Sequence, residues 1–305
     1  MKVTLDIDQL LSENEITQAE YERFKSLAAK STGSLAFNLL IGFGVIAVSG
    51  AALALIPTPA TAIIIGLLIL IAGLVVLRSQ TTEWLVLANI CLLVGALMSG
   101  AGIMGVFEGH LYSILAVTLL FALIAVFAKS SLLAVLATLT LSACIGAKTG
   151  YFHASYFLVI QEPLLTVVIF SALAFGLYQL SKKLPAEYER VAIATSRTSV
   201  FLVNFGFWVG SLWGERNEDR VVIMDDSVFA VLWALAIIAT AIWAWKNNRR
   251  WVLNTVAVFG GIHFYTQWFE RLGASPDAVL MAGLLALGFA VGLKMLNSKM
   301  QKTTD

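Results

Sequence analysis

The chain alternates long apolar runs with short polar breaks, and that rhythm predicts membrane-spanning helices. An α-helix needs roughly 17–25 residues to cross a hydrocarbon core. Runs of that size lie near 35–56, 60–77, 84–106, 111–128, 131–147, 163–180, 195–213, 228–245, 251–269 and 278–296. They predict an all-α polytopic bundle of about ten transmembrane helices, the fifth being the shortest. Pro57, Pro59, Pro163, Pro185 and Pro276 all fall at edges or in loops, where a missing backbone N–H is tolerated. No run has a proline at its centre, so proline gives no hint of the broken helices common in transporters.

Residues 1–33 are patterned differently. Leu5, Leu10 and Leu11 suggest a short amphipathic helix. Thr17 and Glu20 then fit a capping box, with Ile16 and Tyr21 at the staple positions around it. A second helix is expected from there to about Lys30, with Phe24 and Leu27 on its apolar side. The expected organisation is a cytoplasmic helical hairpin over 1–33, a ten-span domain over 34–297 and a short tail over 298–305. The hairpin reads either as a docking module for a protein partner or as a leader lying on the lipid surface.

The stretch Trp251 to Arg271 is the most polar of the long runs. Gly260, His263, Gln267 and Glu270 recur at helical steps and share one face. Val256, Phe259, Ile262 and Phe269 form the opposite face, free to meet lipid or other helices. Ionisable groups at membrane depth are costly and usually face a bundle interior or a wet cavity. His263, Gln267 and Glu270, with Tyr265 and Asn254, are therefore the candidate lining of a path for a small solute. Phe264 and Trp268 would flank it.

Small residues mark close packing. Gly206, Gly210 and Gly214 follow one another at four-residue steps, as do Gly288 and Gly292, and Gly105 and Gly109. Such spacing lets helix backbones approach in lipid, either inside one bundle or at a homodimer face, and the many internal neighbours favour the first. Trp208 and Trp213 fit an aromatic belt at the outer interface. Arg197 and Asn204 share a face seven residues apart, and Arg197 is expected to snorkel to the cytoplasmic surface. Glu108, His110, His153 and Glu162 form a candidate outer polar cluster. Histidine with carboxylate suits a metal or a proton relay. Their spacing matches no metal motif, so no metal ligands are assigned.

Charge fixes an orientation. Only 13% of the 305 residues are charged and 59% are hydrophobic, where a soluble domain carries about 25% charged. Mean hydropathy is +0.86. Sixteen of the twenty Lys and Arg fall in the leader, the even-numbered loops and the tail, counting Arg197 and Lys294 at the adjoining ends of their runs. The positive-inside rule then puts both termini in the cytoplasm. The outer segment 214–227 is acidic and reads as a solvated connection, with Asp226 or Ser227 as N-cap of the eighth span. The absence of a basic tract argues against nucleic acid. Cys91 and Cys144 read as small buried hydrophobes on opposite sides of the membrane. Phosphate-loop, zinc-protease and serine-elbow signatures are missing, so neither an enzymatic centre nor a cofactor is expected.

The segment Leu10-Leu11-Ser12-Glu13-Asn14-Glu15-Ile16-Thr17-Gln18-Ala19-Glu20-Tyr21-Glu22 resembles a helical-hairpin motif at the front of an uncharacterised group of bacterial polytopic membrane proteins. The segment Phe264-Tyr265-Thr266-Gln267-Trp268-Phe269-Glu270, before a Gly- and Ala-rich last span, looks like the same group. That motif usually has a glycine in its turn, where this chain has Asn14. The resemblance implies a bacterial cytoplasmic membrane and no particular activity. The span count and inside termini also resemble the drug/metabolite transporter superfamily, whose two five-span halves would meet here near 148–162. No similarity between the halves is visible in the sequence. The leading expectation is therefore binding or transport of a small solute, and the alternative is a membrane scaffold or sensor recruiting a protein through the hairpin.

The orientation is open to test. Thiol reagents confined to the outside should label single cysteines at positions 217 and 274 and miss those at 186 and 248. Outside labelling at 186 would reverse the topology.

Overall fold

Three of the five prolines open helices, and the polar breaks between apolar runs become turns. The computed structural model describes residues 7–13, 15–79, 84–152, 155–216 and 221–302. The chain runs α1 (Ile7–Ser12), α2 (Gln18–Leu55), α3 (Pro59–Arg78), α4 (Leu85–Val106), α5 (Leu111–Phe127), α6 (Ser131–Cys144), β1 (Ala147–Phe152), β2 (Ser155–Ile160), α7 (Pro163–Ser181) and α8 (Ala186–Trp213). Then follow β3 (Glu215–Arg216), β4 (Val222–Met224), α9 (Asp226–Lys246), α10 (Arg250–Leu272) and α11 (Pro276–Lys302). The architecture is helical, with a helix at each of the ten apolar stretches. Among the described residues, five helical stretches are long and apolar enough to cross a membrane: Leu35–Leu55 within α2, α3, α4, α7 and α9.

Several boundaries differ from expectation. The capping box is formed: Thr17 Oγ1 accepts from the Glu20 backbone N–H, and the Glu20 carboxylate accepts from the Thr17 N–H at 2.8 Å. These bonds hold the Glu20 carboxyl below the usual carboxylate range. The Tyr21 hydroxyl donates to Asp8 at 2.8 Å, tying α2 to α1. The helix does not stop near Lys30, however, but runs unbroken to Leu55. No proline intervenes, and a glycine such as Gly33 costs only about 1 kcal/mol in a helix.

The fifth run ends at Cys144 rather than 147, because Gly146 adopts a left-handed φ of 85°. The fourteen residues of α6 rise about 21 Å, short of the roughly 30 Å of a hydrocarbon core. The next segment is not a plain loop. β1 and β2 pair antiparallel, from Ala147 opposite Ile160 to Phe152 opposite Ser155. Their β-branched and aromatic residues suit a pleated ladder. A second small hairpin, β3 with β4, occupies part of 214–227. Asp225, not Asp226 or Ser227, caps α9, accepting from the Ser227 backbone N–H at 3.0 Å.

The structure separates into two units, Met1–Leu141 with Leu184–Ala194, and Ser142–Lys183 with Thr195–Asp305. In the first unit, α3 and α4 are an antiparallel pair in backbone contact. A Cβ on Gly66 would lie 2.5 Å from the Ser99 backbone N, one on Gly95 2.6 Å from the Gly66 carbonyl oxygen, and one on Gly102 2.7 Å from the Pro59 oxygen. A Cβ on Gly73 would sit 3.0 Å from the Leu92 N. These glycines are seven apart on each helix, the period that keeps one seam facing its partner along a left-handed crossing. Of the anticipated pair in α4, Gly105 meets Pro59 and Gly109 is a left-handed turn residue. The start of α4 is capped from α2: the buried Asn38 Oδ1 accepts from the Leu87 backbone N–H at 3.1 Å. An apolar core of Leu92, Phe121, Ile124 and Leu133 joins α4, α5 and α6. Beside it Lys129 pairs with Glu187, which holds the Glu187 carboxyl low and the Lys129 ammonium high.

In the second unit the four-residue glycine steps serve internal contacts. Gly206 faces Val167 and the Pro163 oxygen of α7, and a Cβ on Gly210 would lie 2.6 Å from the Phe229 ring of α9. Gly214 turns the chain at φ 66°. Gly288 and Gly292 face open space. Glu215, expected in a solvated acidic loop, is 6% exposed, and its carboxylate accepts from the Leu164 N–H at 2.6 Å. It closes the first turn of α7, whose own N-cap, Glu162, makes no side-chain cap bond.

The α3–α4 contact predicts a sharp contrast. Gly95→Ala forces a methyl into backbone and should destabilise the detergent-solubilised protein by about 1–3 kcal/mol. Gly44→Ala, which meets open space, should be neutral or stabilising. Equal thermal midpoints for the two variants would contradict the contact.

Candidate functional site

Asn204, Trp233, His263 and Thr266 come together where α8, α9 and α10 of the second unit meet. Close approach at Gly210 and Phe229 aligns α8 and α9 so that Trp233, one turn beyond Phe229, reaches Asn204. Trp233 is fully buried, and its indole N–H donates to Asn204 Oδ1 at 3.0 Å. Asn204 Nδ2 donates in turn to the Val200 carbonyl oxygen at 2.8 Å. On α10, Gly260 approaches Ile237 of α9, and the His263 and Trp233 rings meet in a T-shaped pair, centroids 4.9 Å apart at 69°. One turn on, Trp208 of α8 donates to Thr266 Oγ1 at 3.0 Å.

This seam ends in atoms that lack partners. Among the described residues, the buried side-chain polar atoms without a hydrogen bond are Ser99 Oγ, His263 Nδ1 and Gln267 Nε2. The last two lie one turn apart on α10. Gln267 Oε1 accepts a long 3.4 Å contact from Arg271 Nε. Glu270 is exposed, roughly 10 Å along the axis from His263.

The structure thus brings His263 and Gln267 together, with Glu270 at the exposed end. It sets Asn254 elsewhere: that residue is exposed on the face of Val258, half a turn from His263. Tyr265 stacks on Phe269 at 5.9 Å and meets Phe264 edge-on. Phe264 also contacts Trp268 and Phe289 of α11, and Trp268 donates to the Ala278 carbonyl oxygen at 3.1 Å. The opposite face of α10 meets helix: Val256 and Phe259 are buried, and Phe259 packs against Phe201 and Phe205 of α8. Arg197 lies over the Trp251 ring, 4.7 Å from its centroid.

The candidate outer cluster resolves into separate roles. Glu108 takes the left-handed position after α4, at φ 49°, and the Gly109 N–H then reaches back to the Met104 carbonyl oxygen. His110 is the exposed residue before α5 and Glu162 the exposed residue before α7; neither makes a side-chain cap bond. His153 lies outside the described residues. No group of three metal-binding side chains occurs among the described residues.

Asn204 and Trp233 were the members least visible in the sequence. Asn204 was noticeable only as a polar residue in an apolar run. Trp208, which fits an interfacial belt by position, is drawn inward by Thr266. Comparison with family models, with curated proteins and with solved structures finds no match to this chain.

The seam predicts opposite signs for two substitutions. Asn204→Ala strands the buried Trp233 N–H and should lower stability by about 1–3 kcal/mol. Gln267→Met removes an unpaired buried amide and should raise it by about 1 kcal/mol. Thermal unfolding in one detergent measures both, and destabilisation by Gln267→Met would show that the amide is satisfied.

Proposed function

We propose that this chain is a ten-span helical protein of a bacterial cytoplasmic membrane, both termini inside, that binds or passes a small solute along the His263–Gln267–Glu270 face of α10. The span count rests on ten helices at ten apolar stretches, with the short α6 spanning by local thinning of the bilayer, and the orientation on the distribution of Lys and Arg. The reading agrees with the resemblance to bacterial polytopic membrane proteins.

The observation that carries the function is the pair of buried, unpartnered atoms at His263 and Gln267. An interhelical hydrogen bond in a membrane contributes about 0.6 kcal/mol on average. A buried polar atom left without a partner costs about 1–3 kcal/mol. The two orphans cost more than the two tryptophan bonds beside them contribute, so hydrogen bonding alone does not account for this seam. A ligand with its own hydrogen-bonding groups would satisfy both atoms, and Glu270 would stand at the entrance.

The second reading is a scaffold or sensor that recruits a protein through the N-terminal helices. It is favoured by the ordered start of α2 and by Phe24, exposed on its first turns. A homodimer built on the open Gly288–Gly292 face of α11 is compatible with either function.

The path is tested by accessibility in native membranes. With Cys91 and Cys144 replaced by alanine, single cysteines at positions 263, 267 and 270 should react with a small charged thiol reagent added outside. A cysteine at Val258, an exposed apolar position of the same helix, should stay protected. Protection at 263 and 267 equal to that at 258 would remove the path.

A further inference from the structure

Tyr178, in the last turn of α7, carries two cations on one ring. Lys182 Nζ lies 4.5 Å from the ring centroid and Arg249 Cζ 5.9 Å from it. Trp243 of α9 holds the same ring edge-on, centroids 5.9 Å apart at 84°. Each cation is drawn to the face of the ring, while the two repel one another. No carboxylate pairs with either among the described residues. Lys182 donates instead to the neutral Gln179 Oε1 at 2.7 Å.

The arrangement is built into the backbone. The α9–α10 turn closes with Asn248 in the left-handed region at φ 51°. The Asn248 N–H donates to the Trp245 oxygen at 3.1 Å, and the Arg249 N–H to the Ala244 oxygen at 2.8 Å. Those two bonds form a Schellman motif, with asparagine where glycine is usual. Asn247 Nδ2 adds a bond to the Trp243 oxygen at 2.8 Å, and Ala244 beneath is fully buried. Arg249 therefore leaves the turn at a fixed point. Lys182 is likewise fixed, as the C-cap of α7.

We propose that this end of α7, α9 and α10 is a binding site for the phosphate headgroup of an anionic lipid. Two exposed cations held at one ring, with no carboxylate paired to either among the described residues, attract an anion, and a phosphate offers several acceptor oxygens to both. A soluble anion would use only the charges. Here exposed Phe175, on the α7 face of Tyr178 and Lys182, and exposed Ile242 of α9 continue from the basic end, where acyl chains would lie. Exposed Trp243 and Trp245 fit the headgroup level between the two regions. Basic pockets between membrane helices on the cytoplasmic side are suited to such lipids. The proposal rests on the reading that the chain spans a membrane, but needs neither a solute nor a known sidedness.

The test uses the full chain in neutral maltoside micelles, with phosphatidylglycerol, phosphatidylcholine or inorganic phosphate added separately. Bound lipid is counted by native mass spectrometry, and thermal midpoints are recorded in parallel. Phosphatidylglycerol should be retained and raise the midpoint, and phosphatidylcholine should do neither. Lys182→Gln with Arg249→Gln should weaken retention roughly 25-fold, at about fivefold per charge. Lys182→Arg with Arg249→Lys should keep it, which separates charge from misfolding. Arg78→Gln, in the other unit, should leave it unchanged. Equal retention of both lipids, equal loss with Arg78→Gln, or undiminished retention by the double glutamine variant overturns the site. Stabilisation by inorganic phosphate matching that by phosphatidylglycerol overturns the assignment to lipid. Because no outcome depends on α10 accessibility, failure here leaves the solute path standing.

Discussion

An apolar helix that begins near a membrane brings backbone N–H groups that its own residues cannot answer, and lipid offers no acceptor. Two helices of this protein depend on side chains from far along the chain to solve that problem. Trp84 and Glu162 precede α4 and α7 without capping them. Asn38 supplies the acceptor for Leu87, and Glu215 supplies it for Leu164. The second is a carboxylate on the positive end of a helix dipole, so charge and hydrogen bond act together. Each bond also fixes where a distant segment must lie. Asn38 joins α2 to the start of α4, and Glu215 holds β3 at the start of α7.

The helices were legible because lipid imposes one pattern on everything it touches. Runs near 60–77, 84–106 and 228–245 became α3, α4 and α9 with edges moved by a residue or two. What stayed hidden depended on the partner rather than on the run itself. Gly66, Gly73, Gly95 and Gly102 look like scattered glycines until two helices are set side by side, when their seven-residue spacing becomes a seam. Glu215 reads as solvated because its neighbours in sequence are charged, yet its environment is set by Leu164, 51 residues away. The β1–β2 hairpin was missed because a short polar break between apolar runs reads as a loop. At the candidate site, His263 and Gln267 stood out as polar residues in a helix. Asn204 and Trp233 needed the α8–α9 contact at Gly210 to come within reach.

The same hydrogen-bond economy separates the two halves of the α8–α9–α10 seam. Toward Asn204 every named polar group has found a neighbour. Toward Gln267 two buried atoms, His263 Nδ1 and Gln267 Nε2, have no hydrogen bond. The apolar packing around Phe259 and Phe229 can carry the cost of that deficit.

The unbroken α2 has a mechanical consequence. Its 38 residues extend about 57 Å, and a bilayer core spans only about 30 Å. Set across a bilayer, the amino-terminal part would stand out as a rod of some 25 Å with no hinge at its base. A tilt of ten degrees in the embedded part would swing the far tip, with α1 tied to it through Tyr21 and Asp8, by about 4 Å. Such a lever works in both directions. Anything grasping the tip would apply torque to the portion bearing Asn38, and through it to the first turn of α4.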